Sequence, residues 1–312
     1  MNTQFFRYAV EIERTGSITK AAQNLFMAQP NLSKAMKEME EQLGYEVFER
    51  TPGGMVPTEK GRNFLICAQN ILDQMQKMEA IGDENEGKLQ QLRISIPRGS
   101  YITKGCVEFV AGLDETKAME ITIQETNSIQ AINNTAYEQF DLGIIRYQSI
   151  YENYFLDFAA SKQLCCEPLW EFEYLALMSK EHPLARQEFI HAKELAAYTE
   201  ILHADLMIPY IENQNVETQK TEKGLSKHIY VYDRGCQFDL LTRIPTTFMW
   251  VSPLPESYLK KYGLVQRVCY VPNNRYKDML VYRKGYEFGE LEESFLKELH
   301  ASRDEVAKGK YR

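Results

Sequence analysis

Phe5, Phe6, Ala9, Val10 and Ile12 recur at helical spacing, which predicts an amphipathic helix over 3–15. Gly16 stops it, and Ser17 can accept a bond from a free backbone N–H of a second, short helix over 18–25. Ala21 and Ala22 let another helix approach that one closely. After Phe26, Met27 and Ala28, the pair Gln29-Pro30 opens a third helix, with proline in the first turn where its missing N–H costs little. That helix runs to about Leu43, and Gly44 ends it. Short helix, tight turn and longer helix make the helix-turn-helix arrangement. Next, 46–50 reads as a strand, 51–54 as a tight turn and 55–57 as a return strand, which together form a small hairpin, or wing.

On the third helix Leu32, Ala35, Met36 and Met39 form the inward stripe, leaving Gln29, Asn31, Ser33, Lys34 and Lys37 for the other face. Gln29, Ser33 and Lys37 follow each other four apart and so align. Amide and hydroxyl groups read base edges, and ammonium groups find phosphate or guanine. Glu38, Glu40, Glu41 and Glu46 gather toward the far end. The separation of charge suits insertion of this helix by its N-terminus.

Thr58 can cap a further helix over 59–81, a rod of about 35 Å at ~1.5 Å per residue. Phe64, Ala68, Ile71, Met75 and Met78 follow steps of four, three, four and three, a heptad seam suited to packing along a partner helix. Docking on its own domain is the alternative use of such a stripe. Residues 82–90, charged and bounded by glycine, read as a hinge. From there strands and helices alternate. Strands are expected over 92–96, 120–125, 141–145, 164–170, 173–178, 227–232, 247–251, 264–270 and 278–282. Helices are expected over 104–113, 128–136, 191–197, 235–243, 256–262 and 289–302. The repeated β-α pattern argues for a mainly parallel sheet, hence an α/β fold overall.

Composition changes this picture little, and charge complicates it. The 312 residues suffice for two or three domains. No apolar run reaches the roughly 18 residues of a membrane span, and no signal-peptide pattern opens the chain, so the cytoplasm is the expected compartment. The formal net charge is −8, yet the first 64 residues hold eight basic and eight acidic side chains. Affinity for DNA must therefore come from the placement of charge rather than its sum. The six cysteines, Cys67, Cys106, Cys165, Cys166, Cys236 and Cys269, form no C-x-x-C, and no histidine pair has zinc-ligand spacing. No metal or cofactor is expected. Neither a G-x-S-x-G, a P-loop nor a G-x-G-x-x-G occurs, which argues against an enzyme.

The N-terminal segment closely resembles the LysR-type transcriptional regulators. The matching residues are 5–10, Gly16-Ser17-Ile18-Thr19-Lys20-Ala21-Ala22, Leu25, Gln29-Pro30-Asn31-Leu32-Ser33, Leu43-Gly44, Phe48-Glu49-Arg50 and Pro57-Thr58-Glu59-Lys60-Gly61, in order and without gaps. The resemblance implies contact with double-stranded DNA from Thr19, Gln29, Pro30, Ser33, Lys34, Lys37 and Arg50. It also implies a homodimer built on the Phe64–Met78 seam, or a homotetramer completed through the effector domains, with RNA polymerase as a further partner. The chain departs from the family in the wing turn, where 51–55 carry no basic residue.

Farther on, Asp141-Leu142-Gly143-Ile144-Ile145-Arg146, Glu167-Pro168-Leu169 and His182-Pro183-Leu184-Ala185 match the family's effector domain, which has two lobes like a periplasmic binding protein. The implied organisation is a winged helix-turn-helix at 1–58, a linker helix at 59–81, a hinge at 82–90 and an effector domain at 91–312. Lobe I would comprise 91–165 and 271–312, and lobe II 166–270. A small molecule would bind between the lobes, at strand and helix ends. The candidates are Arg98, Gly99, Ser100, Tyr101, Asn127, Ser128, Arg146 and Tyr147, with His203, Asp205 and Tyr232 from the other lobe. Arg98 and Arg146 favour an effector bearing a carboxylate. Control by thiol oxidation or protein contacts, without a small effector, is the alternative.

Overall fold

A computed structural model describes residues 2–52, 54–80, 89–137, 140–203, 227–232 and 235–308. Asp205, residue 81 of the predicted linker helix and residues 82–88 of the predicted hinge lie outside them. The chain divides into two compact units, Met1–Leu89 with Tyr137–Gln139, and Gln90–Ala136 with Phe140–Arg312.

In the first unit α1 (Thr3–Thr15), α2 (Ile18–Asn24) and α3 (Gln29–Leu43) precede a hairpin of β1 (Phe48–Thr51) and β2 (Gly54–Pro57), then the long α4 (Glu59–Ala80). The caps are those the residue types dictate. The Asn2 side chain accepts from Gln4 N at 3.0 Å, and the Ser17 side chain accepts from Lys20 N at 3.4 Å. Helices α1 and α3 both end in a left-handed glycine, Gly16 and Gly44. Phe5, Phe6, Ala9, Ile12, Leu32, Met36 and Met39 meet in one core. The front half of the α4 seam belongs to that core. Phe64 and Ala68 are buried there, Phe64 with its ring 6.0 Å from that of Phe6. These two side chains therefore face their own domain rather than a partner. Ile71 and Met78 remain exposed at 40% and 65%, with Met75 half-buried between them.

The second unit contains two sheets. The first has the order β4-β3-β5-β13-β6, made of β3 (Leu89–Ile96), β4 (Ala118–Glu125), β5 (Leu142–Gln148), β6 (Leu164–Glu173) and β13 (Arg275–Arg283). Helices α5 (Ser100–Ala111) and α11 (Glu290–Lys308) cover one face through Phe109, Phe295 and Leu299. Helices α6 (Ser128–Ala136) and α7 (Glu152–Ser161) cover the other through Ala131, Ile132, Phe155 and Ala159. Strand β5 alternates accordingly, with Leu142 and Ile144 in the first core and Ile145 and Tyr147 in the second.

The second sheet has the order β10-β9-β11-β7-β12-β8. Its strands are β7 (Leu175–Ser179), β8 (Phe189–His191), β9 (Thr199–His203), β10 (His228–Val231), β11 (Thr247–Val251) and β12 (Leu264–Tyr270). It is flanked by α8 (Ala192–Leu195), α9 (Gln237–Arg243) and α10 (Glu256–Tyr262).

The expected parallel arrangement holds for β3 with β5 and for β10, β9 and β11, and each sheet contains a reversed strand. β13 runs antiparallel to both β5 and β6, and β7 antiparallel to both β11 and β12. Each is the first strand after the chain changes sheet. The outward crossing falls later than the lobe boundary at 165/166 implied by the resemblance, because β6 pairs with β13 from Leu164 to Glu173. The return lies between Tyr270 and Arg275. Tyr174 and Asn274 pin the two crossings together: Tyr174 N donates to Asn274 Oδ1 at 3.2 Å, and Asn274 Nδ2 donates back to Tyr174 O at 2.8 Å. Further differences are local. The helix expected over 191–197 is the single turn α8 behind β8, and α7, β8 and β9 fall where no such element was expected.

Candidate functional site

The first unit presents a polar face along α3 and its neighbours. Thr19, Pro30, Lys34, Lys37 and Arg50 are exposed, and Gln29 and Ser33 are half-buried at the same helix. Lys20 and Asn31 add to this surface. Lys37 lies 3.8 Å from Glu41 across one turn, with both side chains mostly in solvent, so the pair holds Lys37 weakly. The N-cap of α3 is Ala28, which makes no side-chain cap.

Behind this face the wing is fixed by Glu40 and Gly61, whose roles the sequence did not announce, and by Thr58, which caps α4 as expected. Glu40 does not merely join an acidic patch. Its Oε1 accepts from Val47 N at 2.7 Å and Phe48 N at 3.1 Å, anchoring the start of the hairpin to α3. Thr58 links the hairpin to α4. Its Oγ1 donates to Glu46 O at 2.8 Å and accepts from Gly61 N at 2.9 Å. A Cβ at Gly61 would stand 1.9 Å from Val47 O, so only glycine lets α4 press against the wing.

In the second unit the strand ends converge on Arg146. Its Nε and Nη2 donate to Asp278 Oδ1 and Oδ2 at 2.7 and 2.6 Å, and its Nη1 donates to Arg98 O at 2.7 Å. The same Nη1 reaches Ser252 Oγ, beyond β11 of the other sheet, at 3.0 Å. The guanidinium lies 4.8 Å from the Phe172 ring centre. The side chains of Arg146 and Asp278 are 6% and 0% exposed. Burial works against the charge on Arg146, but the Asp278 carboxylate outweighs it and holds the group protonated. The Tyr101 hydroxyl also donates to Asp278, and burial followed by that negative charge pushes its titration far up. Gly99 is required beside this cluster, since a Cβ there would meet Arg146 Nη2 at 2.7 Å. A second bond joins the lobes: Arg98 Nη2 donates to Tyr232 O at 2.9 Å.

Several sequence candidates are thereby redirected. Arg146 is neutralised by Asp278 and offers no open charge to a carboxylate. Tyr101 points into the core, edge-on to Trp170 at 5.0 Å. Tyr147, one residue from Arg146, points to the opposite face as strand alternation requires, and stacks on Phe155 at 5.1 Å. Asn127 Oδ1 accepts from Gln130 N, and Ser128 Oγ ties to the backbone of Arg146 through both its N–H and its carbonyl, so both serve the start of α6. Tyr232 contributes its carbonyl, while its side chain is 75% exposed. Of the remaining candidates, Arg98 and Gly99 follow β3, Ser100 opens α5 and is buried, and His203 ends β9. Ser252 and Asp278 were not expected. Asp278 carried only the weak signal of an acid inside an apolar strand.

All six cysteines are unpaired. Burial pushes the Cys106 thiol up to about 12 and the Cys269 thiol up to about 11, and raises Cys166. His182 is a turn residue: Nδ1 accepts from Leu184 N at 3.1 Å, and burial lowers its basicity. Among the described residues no group of three or more His, Cys, Asp or Glu is arranged to hold a metal ion, and no helix is long and apolar enough to cross a membrane.

Comparison with known proteins gives two family matches. The model for bacterial regulatory helix-turn-helix proteins of the lysR family matches residues 3–62, and that for the LysR substrate binding domain matches residues 113–217. Among curated proteins, the uncharacterized HTH-type transcriptional regulator YcgK of Bacillus subtilis (strain 168) is 31% identical over 152 residues, covering 46% of this chain and 45% of that protein. The HTH-type transcriptional regulator CysB of Burkholderia cenocepacia is 27% identical over 212 residues, covering 66% and 64%. The HTH-type transcriptional activator CmpR of Synechocystis sp. is 30% identical over 196 residues, covering 61% and 59%. The chain thus spans between 45% and 64% of the length of these relatives. Among solved structures, CbnR complexed with its target DNA superposes with a TM-score of 0.62 at 13% identity, over 97% of this chain and 100% of that one. A full-length OxyR variant from Pseudomonas aeruginosa gives 0.59 at 17%, over 96% and 94%. At such identities the superpositions establish the fold.

Proposed function

The chain belongs to the LysR-type family of transcriptional regulators, and on that premise we propose that it regulates transcription from the cytoplasm by binding specific duplex DNA under control of a small molecule held between the lobes of its second unit. The observation that carries the reading is the outer face of α3, where Gln29, Ser33 and Lys37 stand in line with Lys34 beside them. An amide, a hydroxyl and two ammonium groups at the front of an entering helix can read base edges and hold phosphate. Thr19 and Arg50 flank it as backbone contacts. The wing turn adds no cation, so its contribution falls to backbone N–H groups.

Assembly follows from α4. Ile71, Met75 and Met78 form an apolar stripe beyond the domain core, and a second copy of the same helix covers it in a dimer. Two reader heads then meet half-sites spaced by a multiple of about 34–36 Å.

The control reading rests on the bonds that cross between lobes, Arg146 to Ser252 and Arg98 to the Tyr232 carbonyl. An effector at Arg98, Ser100 and His203 competes with or reinforces these bonds, and so biases two arrangements of the lobes. With Arg146 neutralised, the case for a carboxylate effector rests on Arg98 alone. The raised thiols of Cys106, Cys166 and Cys269 disfavour peroxide chemistry at those three, which needs a thiolate, and leave the exposed Cys67 and Cys236 to carry any thiol control. A thermal-shift screen of amino acids, carboxylates and neutral metabolites tests the control reading. The expected hit raises the unfolding temperature of the full chain and changes its affinity for DNA. If no compound did both, effector control would give way to protein contacts.

A further inference from the structure

Phe26 occupies a place in the backbone that the rest of the domain gives to glycine. Its φ is 52°, in the left-handed region. The Phe26 N–H donates to Gln23 O at 3.1 Å and the Met27 N–H donates to Ala22 O at 3.0 Å. This paired closure ends a helix with a left-handed residue, normally glycine. At the ends of α1 and α3 the chain does use glycine, Gly16 at φ 61° and Gly44 at φ 76°. At the end of α2 it uses phenylalanine, for which that conformation is strained. The ring gains nothing in return from the protein, since Phe26 is 97% exposed, the most exposed large apolar side chain among the described residues. A strained backbone and a solvated aromatic ring on one residue point to a partner outside the chain.

Position says which partner. Phe26 stands in the turn that leads into α3, and Ala28 and Pro30, the next alternate residues, are exposed as well. The leading edge of the reader helix is thus apolar, ahead of the polar line of Gln29, Ser33 and Lys37. In the major groove the apolar feature on a base edge is the thymine C5-methyl group. We propose that Phe26 is a specificity-determining residue whose ring packs on a thymine methyl at the edge of the site read by α3. This rests on the reading that α3 enters the major groove. It adds a contact that carries no charge and leaves the salt dependence of binding unchanged.

The test uses the full chain and the duplex it enriches from a randomised pool. Each thymine is replaced in turn by uracil, which removes the methyl and keeps the pairing. For the wild type, one step on each half-site is expected to lose about tenfold in affinity. Phe26→Asn keeps a residue that tolerates the left-handed turn, removes the ring, and is expected to bind the thymine duplex about tenfold more weakly and no longer distinguish uracil there. Its salt slope should match the wild type. Phe26→Tyr should retain the discrimination. Phe26→Gly should raise the unfolding temperature by about 4 °C while weakening binding, a combination that a purely structural role does not produce. Unchanged affinity of Phe26→Asn, or full sensitivity of that variant to uracil, overturns the assignment. A wild-type chain that enriches no sequence removes the DNA-reading premise itself, and is told apart by the absence of any duplex to substitute.

Discussion

Replacing Asp278 with asparagine keeps the shape of the interlobe cluster and removes its negative charge. Arg146 is then left 6% exposed with no counter-charge, since the Arg98 carbonyl, the Ser252 hydroxyl and the Phe172 ring carry no negative charge. Breaking one side of a buried ion pair typically costs about 3–5 kcal/mol, most of it the penalty of the stranded charge. A domain of this size shifts by roughly 2–4 °C per kcal/mol, so the expected loss is about 6–20 °C in the unfolding temperature of the second unit. Trp170 reports the event closely, being the β6 residue opposite Asp278 and edge-on to Tyr101. Replacing Trp250, the other of the two tryptophans, with phenylalanine isolates its fluorescence. Unfolding in urea followed at Trp170 gives the free energy, and circular dichroism shows whether the helices of the first unit persist. Exchanging both partners, Arg146→Met with Asp278→Leu, should recover much of the loss, because no charge is then stranded. A shift below about 2 °C for Asp278→Asn would show that water reaches the pair, and the clip between lobes would lose its basis.

Gly61→Ala drives a methyl into the Val47 carbonyl, and is expected to destabilise the first unit by about 1–3 kcal/mol or more in chemical denaturation. Glu200 is buried at β9 and titrates near 7 because burial disfavours its charge, with a hydrogen bond from Trp250 opposing that only in part. The folded state therefore keeps a proton that the unfolded chain releases between about pH 4.5 and 7, and stability falls across that window by up to about 3 kcal/mol. Glu200→Gln should match the wild type near pH 4.5 and exceed it at pH 8; equal stability at both ends would place the carboxyl in water. Ile71→Glu puts a charge into the exposed stripe of α4 and should lower the oligomeric state in sedimentation; an unchanged mass would move the dimer contact elsewhere.

The reader was legible because its signals are local. Gly16-Ser17 and Gln29-Pro30 mark a helix end and two starts within a few residues, and 3.6-residue periodicity supplied the inward faces. Phe26 was not legible as strained, since nothing in the residue type announces a positive φ. The division of the α4 stripe was hidden for a different reason. Phe64 and Met78 are the same kind of residue on the same face, and only the reach of the α1 core decides that one is buried and the other exposed. At the cleft, Arg146 was found by its place at a strand end, but Asp278 lies 132 residues away in sequence and Ser252 lies 106 away. Long-range partners of this kind leave no local pattern, and so Arg146 was read as an open charge. Helix α7 did carry a signal, the aromatic stripe Tyr151, Tyr154, Phe155 and Phe158, but no capping residue framed it.

Selection of duplexes from a randomised pool by the full chain, with Ser33→Ala and Lys37→Ala selected in parallel, tests most directly that α3 reads DNA. The wild type is expected to enrich two half-sites in inverted repeat. Ser33→Ala should enrich a blurred motif at one position with the salt slope kept. Lys37→Ala should enrich the same motif with weaker binding to all duplexes and a slope reduced by about one. Enrichment of one identical motif, with identical affinity and slope, by all three proteins would contradict the account, because the face of α3 would then take no part in reading the site.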